Sequence, residues 1–141
     1  MIESTNKEVF KGEFIKRYFT PSIEDIRVGY ECETIPLKVP IEKIMWQETI
    51  LSLFQIGYVE VALREGRIRV PYLTKEQIES EGWKHVWYEK GVHSWETAYE
   101  ILTTFDGGYR IIIDTKGPRR LYDGECKDIN TFRYITKLLG I

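Results

Sequence analysis

Residues 69–89, RVPYLTKEQIESEGWKHVWYE, carry the densest set of start and stop signals in the chain. Thr74 stands where a helix N-cap belongs and Gln77 follows three residues later, the pattern of a capping box in which each side chain meets the other's backbone amide. Leu73 and Ile78 fall at the positions flanking the cap, where an apolar staple fixes the entry angle of the chain. Glu76 sits in the first turn, where the positive end of the helix dipole favours it. Gly82 suits the left-handed residue that ends a helix. The spacing predicts a short helix over about 75–81 with a strand on either side. Two turns of helix are marginal alone, so Trp83, Val86 and Trp87 are expected to dock it on something larger.

A second unit is legible over 96–126. Asp106-Gly107-Gly108 joins a strand ending at Phe105 to one starting at Tyr109, and side-chain faces decide the loop length. A three-residue loop pairs Thr103 with Ile111 and Ile101 with Ile113, giving one apolar face. The other face then carries Glu100, Thr104, Arg110 and Asp114 around a Leu102–Ile112 pair, and Gly108 takes a left-handed bulge position. A turn at 115–118 leads to a third strand over 119–126. The chain closes on a helix over about 131–139, capped by Asn130, with Phe132, Ile135, Leu138 and Leu139 as its apolar stripe and Gly140 as its stop.

Earlier in the chain, alternation over 26–38 predicts a strand ended by Pro36 and Pro40. Residues 44–65 are apolar nearly throughout, so periodicity does not separate helix from strand. The Ala62-Leu63-Arg64-Glu65-Gly66 ending favours a helix over about 53–65, and the composition implies burial in either form. Residues 1–8 are polar and read as a loose start. The expected fold is a single α+β domain over 1–141. Its antiparallel sheet has about five to six strands, with the 96–126 meander at its heart and the C-terminal helix on one face.

Lys plus Arg number 20 against 22 acidic residues, and the halves divided at residue 70 carry ten basic and eleven acidic residues each. That balance argues against a dedicated nucleic-acid binder, which shows a basic domain, and against an anionic membrane surface. Two cysteines are too few for a disulfide framework. With no charged-then-apolar leader and no apolar run near eighteen residues, a cytoplasmic protein with reduced thiols is expected.

Candidate chemistry is sparse. His85, His93, Cys32 and Cys126 lack the short paired spacings of zinc sites. Glu31 and Glu33 flank Cys32 and would raise its pKa, the wrong direction for a nucleophile. Glu31, Glu33, Asp114, Asp123 and Glu125 share no spacing that makes a paired-acid or cation site, and the glycines at 107, 108, 117 and 124 sit in hairpins rather than at strand-to-helix junctions where phosphates are cradled. No catalytic residue, metal or cofactor is therefore expected. Two surfaces remain. Tyr88, Trp95 and Tyr99 could anchor a protein partner, since aromatics dominate interface hot spots. Arg110, Lys116, Arg119 and Arg120, with Tyr109 and Tyr122 nearby for stacking, could hold nucleic acid; ion pairs to Asp114 and Asp123 would make the same residues an ordinary solvated face.

Three stretches, YFTPSIEDIRVGYECE (18–33), RVPYLTKEQIESEGW (69–83) and NTFRYITKLLGI (130–141), together resemble a group of short uncharacterised proteins encoded by gut Bacteroidetes and their phages and mobile elements. Cys32 stands where similar chains often carry an aromatic residue. The resemblance implies a context, an accessory protein of a phage or integrated element, and no activity. The leading expectation is a non-enzymatic protein that binds a host or phage protein. A nucleic-acid binder and an enzyme of unrecognised type are the second and third. Exposed aromatics and unpaired sheet edges would also invite a homodimer.

Overall fold

The computed structural model describes residues 17–105, 109–117 and 119–141. The expected loose start at 1–8 and the left-handed Gly108 lie outside them. The fold is α+β and its sheets are antiparallel. The strands divide between two sheets, one in each of two compact units, Met1–Tyr72 and Leu73–Ile141.

The first unit holds β1 (Tyr18–Phe19), β2 (Glu31–Thr34), β3 (Gln47–Ile50) and β4 (Ile68–Pro71) in the order β1-β4-β2-β3. The strand expected over 26–38 is confined to its middle. Gly29 turns the chain at φ +91°, where a Cβ would be strained, and Tyr30 N–H closes that turn on the Arg27 carbonyl. Val28 is exposed, while Tyr30 and Cys32 join Leu51, Val59, Ile68 and Val70 in the core. The helix expected over 53–65 is two helices, α1 (Leu53–Ile56) and α2 (Val59–Arg64). They part at Gly57 and Tyr58, whose amides reach back only three residues, to Phe54 and Gln55. Gly66 ends α2 at φ +71° as expected, and Arg67 N–H bonds the Ala62 carbonyl five residues back, the closure of a Schellman motif.

The second unit opens on α3 (Lys75–Ser80), where both arms of the capping box form: Gln77 N–H to Thr74 Oγ1 at 3.2 Å and Thr74 N–H to Gln77 Oε1 at 3.1 Å. Leu73 and Ile78 are buried in one core, as a staple requires, and Gly82 has φ +96°. β5 (Lys84–Glu89), β6 (Val92–Glu96), β7 (Tyr99–Thr104), β8 (Arg110–Thr115) and β9 (Arg120–Glu125) follow as a meander in sequence order. The predicted register holds, with Thr103 opposite Ile111 and Ile101 opposite Ile113. Phe105 and Tyr109 meet edge to face at 6.5 Å, and Tyr109 has φ +48°.

The last helix, α4 (Ile129–Leu139), lays Ile129, Phe132 and Ile135 against the apolar face of the meander, in one cluster with Ile101, Ile111 and Ile113. Two expectations are corrected here. The N-cap is Asp128, not Asn130: the Asp128 carboxylate accepts from Asn130 N–H (3.2 Å), Asn130 Nδ2 (2.9 Å) and Thr131 Oγ1 (2.7 Å). A buried acid holding three donors outcompetes an amide as cap. Leu138 is 68% exposed and outside the stripe, because it sits about 90° round the helix from the midpoint of the Phe132–Ile135–Leu139 face. Val86 and Trp87 are exposed as well, so of the three residues expected to dock α3, Trp83 alone is buried, edge on to Phe132 at 6.3 Å.

Candidate functional site

The three aromatics singled out as a protein anchor do not form one surface. Tyr88 is 59% exposed on β5, an edge strand. Trp95 is fully buried and donates its indole N–H to Thr103 Oγ1 at 2.9 Å inside the core. It is therefore a core residue and not a docking residue: a paired indole at the centre of the meander has nothing left to offer a partner. Tyr99 is half-buried against the same core. A bulge between His85 and Trp87 breaks the ladder on β5, a common device for blunting an exposed edge.

The four basic residues are largely spent on carboxylates. Arg110 grips Asp123 with two bonds, Nε to Oδ1 at 2.8 Å and Nη2 to Oδ2 at 2.7 Å. Arg120 bonds Asp114 at 3.0 Å and stands 3.8 Å from Asp123, and Lys116 reaches Glu96 at 3.1 Å. Arg119 is exposed beside them. The bidentate Arg110 pair, by its hydrogen bond and its charge, holds the Asp123 carboxyl below its ordinary range. The meander's outer face is thus a neutralised ionic lattice.

The cysteines and histidines do not converge on a metal. Cys32 and Cys126 are both free thiols and both buried, and among the described residues no group of three or more His, Cys, Asp or Glu is placed to hold an ion. Burial, then the Glu33 and Glu31 carboxylates, pushes the Cys32 thiol up to about 12, the direction its neighbours predict. Cys126 is raised too, mainly by burial. Glu33 is buried and held by Arg69 at 2.7 Å, while the Arg69 guanidinium stacks on Tyr18 at 3.6 Å and Trp46 at 4.2 Å. His85 Nε2 and His93 Nδ1 lie 2.9 Å apart in a cross-strand hydrogen bond.

What does stand open lies where burial was expected. The 44–65 stretch is not buried as a whole: Leu53 is 78% exposed, Phe54 74%, and Ile44, Met45, Ile50 and Tyr58 are exposed too. Beside Phe54 and Tyr58, whose rings sit 5.2 Å apart, runs a groove of about 340 Å³. Ile35, Leu51, Val59 and Ile68, all buried, form its base, and Leu37, Phe54 and Tyr58 form its rim. Each wall is fixed. Ser52 and Gln55 cap α1 reciprocally at 3.3 and 2.9 Å, which sets where Phe54 projects. Arg67, itself buried, holds the Pro36–Val39 segment by donating Nη1 to the carbonyls of Pro36 (2.7 Å) and Val39 (2.6 Å) and Nε to Glu65 (2.6 Å). Sequence reasoning missed this site. Ser52-x-x-Gln55 repeats the pattern of Thr74-x-x-Gln77 and was the available sign that a helix begins at Leu53 with two large apolar residues in its first turn.

The described residues form an α+β protein with two antiparallel sheets and an apolar groove in its first unit. Comparison with protein-family models, with curated proteins and with solved structures finds no match to this chain. No helix among the described residues is long and apolar enough to cross a membrane.

Proposed function

We propose that this protein is a non-enzymatic binding module that engages a partner protein through the apolar groove of its first unit. One observation carries the reading. Phe54, held in water by a capped helix, stands at the lip of a preformed apolar cavity, and Leu53 is exposed next to it in the same turn. Contiguous exposed apolar surface of this kind marks interaction sites, and a fixed aromatic beside a pocket is the usual anatomy of a hot spot. The resemblance to proteins of gut Bacteroidetes and their phages supports an accessory role for a phage or mobile element, with a host or phage protein as the partner and the cytoplasm as the place. The matching of Arg110, Lys116 and Arg120 by Asp123, Glu96 and Asp114 favours this reading over nucleic-acid binding, which needs cations free to replace counterions on phosphate. The test is parallel affinity capture from the source cells with the wild-type chain and a Leu53→Ser/Phe54→Ser variant of unchanged circular dichroism. A stoichiometric protein held by the wild type and lost by the variant is the expected result. Equal retention by both, or recovery of nucleic acid alone with a steep salt dependence, overturns it.

A further inference from the structure

Resting on that reading, we infer that the groove takes a short stretch of the partner in which one or two large apolar side chains are followed closely by carboxylates. The groove's contents are set by what lines it. Its base is aliphatic, the Thr34 hydroxyl is bonded to Thr49 at 2.8 Å and the Gln55 carboxamide oxygen closes the α1 cap, which leaves polar side chains open to a ligand only at the rim, on Tyr58 and Lys38. A polar group pushed into this space would leave water without finding a replacement bond, a loss large enough to exclude it. The interior therefore selects apolar side chains.

The rim selects charge. Among the lining residues Lys38 is the only charged one, and no carboxylate lines the groove. Lys38 is exposed and has no ion-pair partner among the described residues. This contrasts with the second unit, where Arg110, Lys116, Arg120 and Arg133 each meet an acid. An unmatched cation at the mouth of an apolar slot complements an anion that follows an apolar anchor. Because Arg67 already holds the Pro36–Val39 wall, the site is preorganised and binding does not have to order it first.

The experiment uses the full chain and three end-blocked fluorescent peptides that share a Leu-x-x-Phe core and end in Glu-Glu, Gln-Gln or Lys-Lys. Anisotropy measures affinity and amide chemical shifts locate the peptide. The Glu-Glu peptide should bind tightest, shift the amides of Lys38, Phe54 and Tyr58, and lose about two- to fivefold on Lys38→Glu, the range of an exposed ion pair. The Lys-Lys peptide should gain on the same substitution, and Phe54→Ser should abolish binding of all three. Equal affinity for the Glu-Glu and Gln-Gln peptides overturns the inference and leaves the proposed function standing. So does failure of every peptide while cell capture remains Phe54-dependent. Two further results overturn it: decanoate shifting the groove amides when no peptide does, and a Phe54-dependent dimer of this chain that blocks the peptides. Loss of Phe54 dependence in cell capture defeats the proposed function itself.

Discussion

Replacing Arg67 by Met tests whether the groove is held open by a single buried cation. Methionine keeps most of the stem volume and removes the guanidinium, so packing changes little, the Val39 carbonyl loses its side-chain donor and the Pro36 carbonyl keeps only the Val39 amide. A hydrogen bond to a charged group contributes about 1.5–3 kcal/mol, so the two carbonyls together bound the loss at roughly 3–6 kcal/mol. The ion pair with Glu65 adds little, because that carboxylate is 45% exposed and solvent screens it. The wall can also swing out and let water reach both carbonyls, which caps the cost, so about 2–4 kcal/mol is expected. Hydrogen exchange read by NMR suits the assay, since three of the four tryptophans belong to the second unit and bulk fluorescence would report mainly on that half. Exchange of the Val39 amide, which donates to the Pro36 carbonyl at 2.9 Å, should accelerate more than that of the β2 amides, and capture of the Phe54-dependent partner should fall. A variant within about 0.5 kcal/mol of wild type, with Val39 protection and partner capture unchanged, would refute the reasoning.

Thr74→Ala should destabilise the second unit by about 1 kcal/mol; Gln77→Ala should add less on top of it than it costs alone, because the two arms of the box act together, as a double-mutant cycle in urea would read. Trp95→Phe removes the donor to a buried Thr103 hydroxyl and leaves a gap, costing about 2–4 kcal/mol; Thr103→Val in the same chain should recover part of that loss, and no recovery would mean the hydrogen bond contributes nothing. Cys32, whose thiol is raised to about 12, should resist a thiol reagent at pH 8 until the chain unfolds. With the folded value above the unfolded one, the folded state keeps a proton that the unfolded chain sheds. Its stabilising effect is then complete below pH 9 and declines by roughly 1 kcal/mol per pH unit up to about pH 12. Cys32→Ala should flatten that part of the stability profile, and an unaltered slope would contradict the assignment. Arg110→Ala should return the Asp123 carboxyl upward toward its ordinary titration, seen in a carboxyl-carbon NMR titration.

The second unit was legible because its signals are local or have period two. The hairpin register follows from side-chain faces alone: shifting it by one residue would have put Ile111 and Ile113 in water, and they are buried. Thr74-x-x-Gln77 is a four-residue pattern whose geometry needs no tertiary help. The C-terminal cap shows the limit of such reading. Asp128 and Asn130 are both good caps by type, and the choice went to the acid because Asn130 and Thr131 both turn their side chains onto it, a cluster that side-chain type alone does not reveal. Trp95 shows another limit. Exposure of an aromatic on a strand depends on whether the neighbouring strand supplies a polar partner, and Thr103 lies two strand residues before Phe105, across a pairing that had to be known first.

The first unit was hard for a reason that bears on its function. Periodicity needs about three turns to declare itself, and helices of four and six residues never show it. An apolar run divided between a strand and two such helices looks buried, whichever side chains face water. Leu53 and Phe54 contribute nothing to the core they stand beside, so their stabilising effect is realised only when something covers them. Fully covering a Leu and a Phe gains about 1.5–3 kcal/mol each, roughly 3–6 kcal/mol together, and association itself costs at least about 4 kcal/mol. A micromolar complex requires about 8 kcal/mol net. The two residues alone fall well short of that, so a partner of useful affinity must also cover Leu37 and Tyr58 and fill the groove between the walls. Loss of binding on a Leu37→Ser substitution, remote in sequence from Phe54 but lining the same groove, is the result expected from this arithmetic.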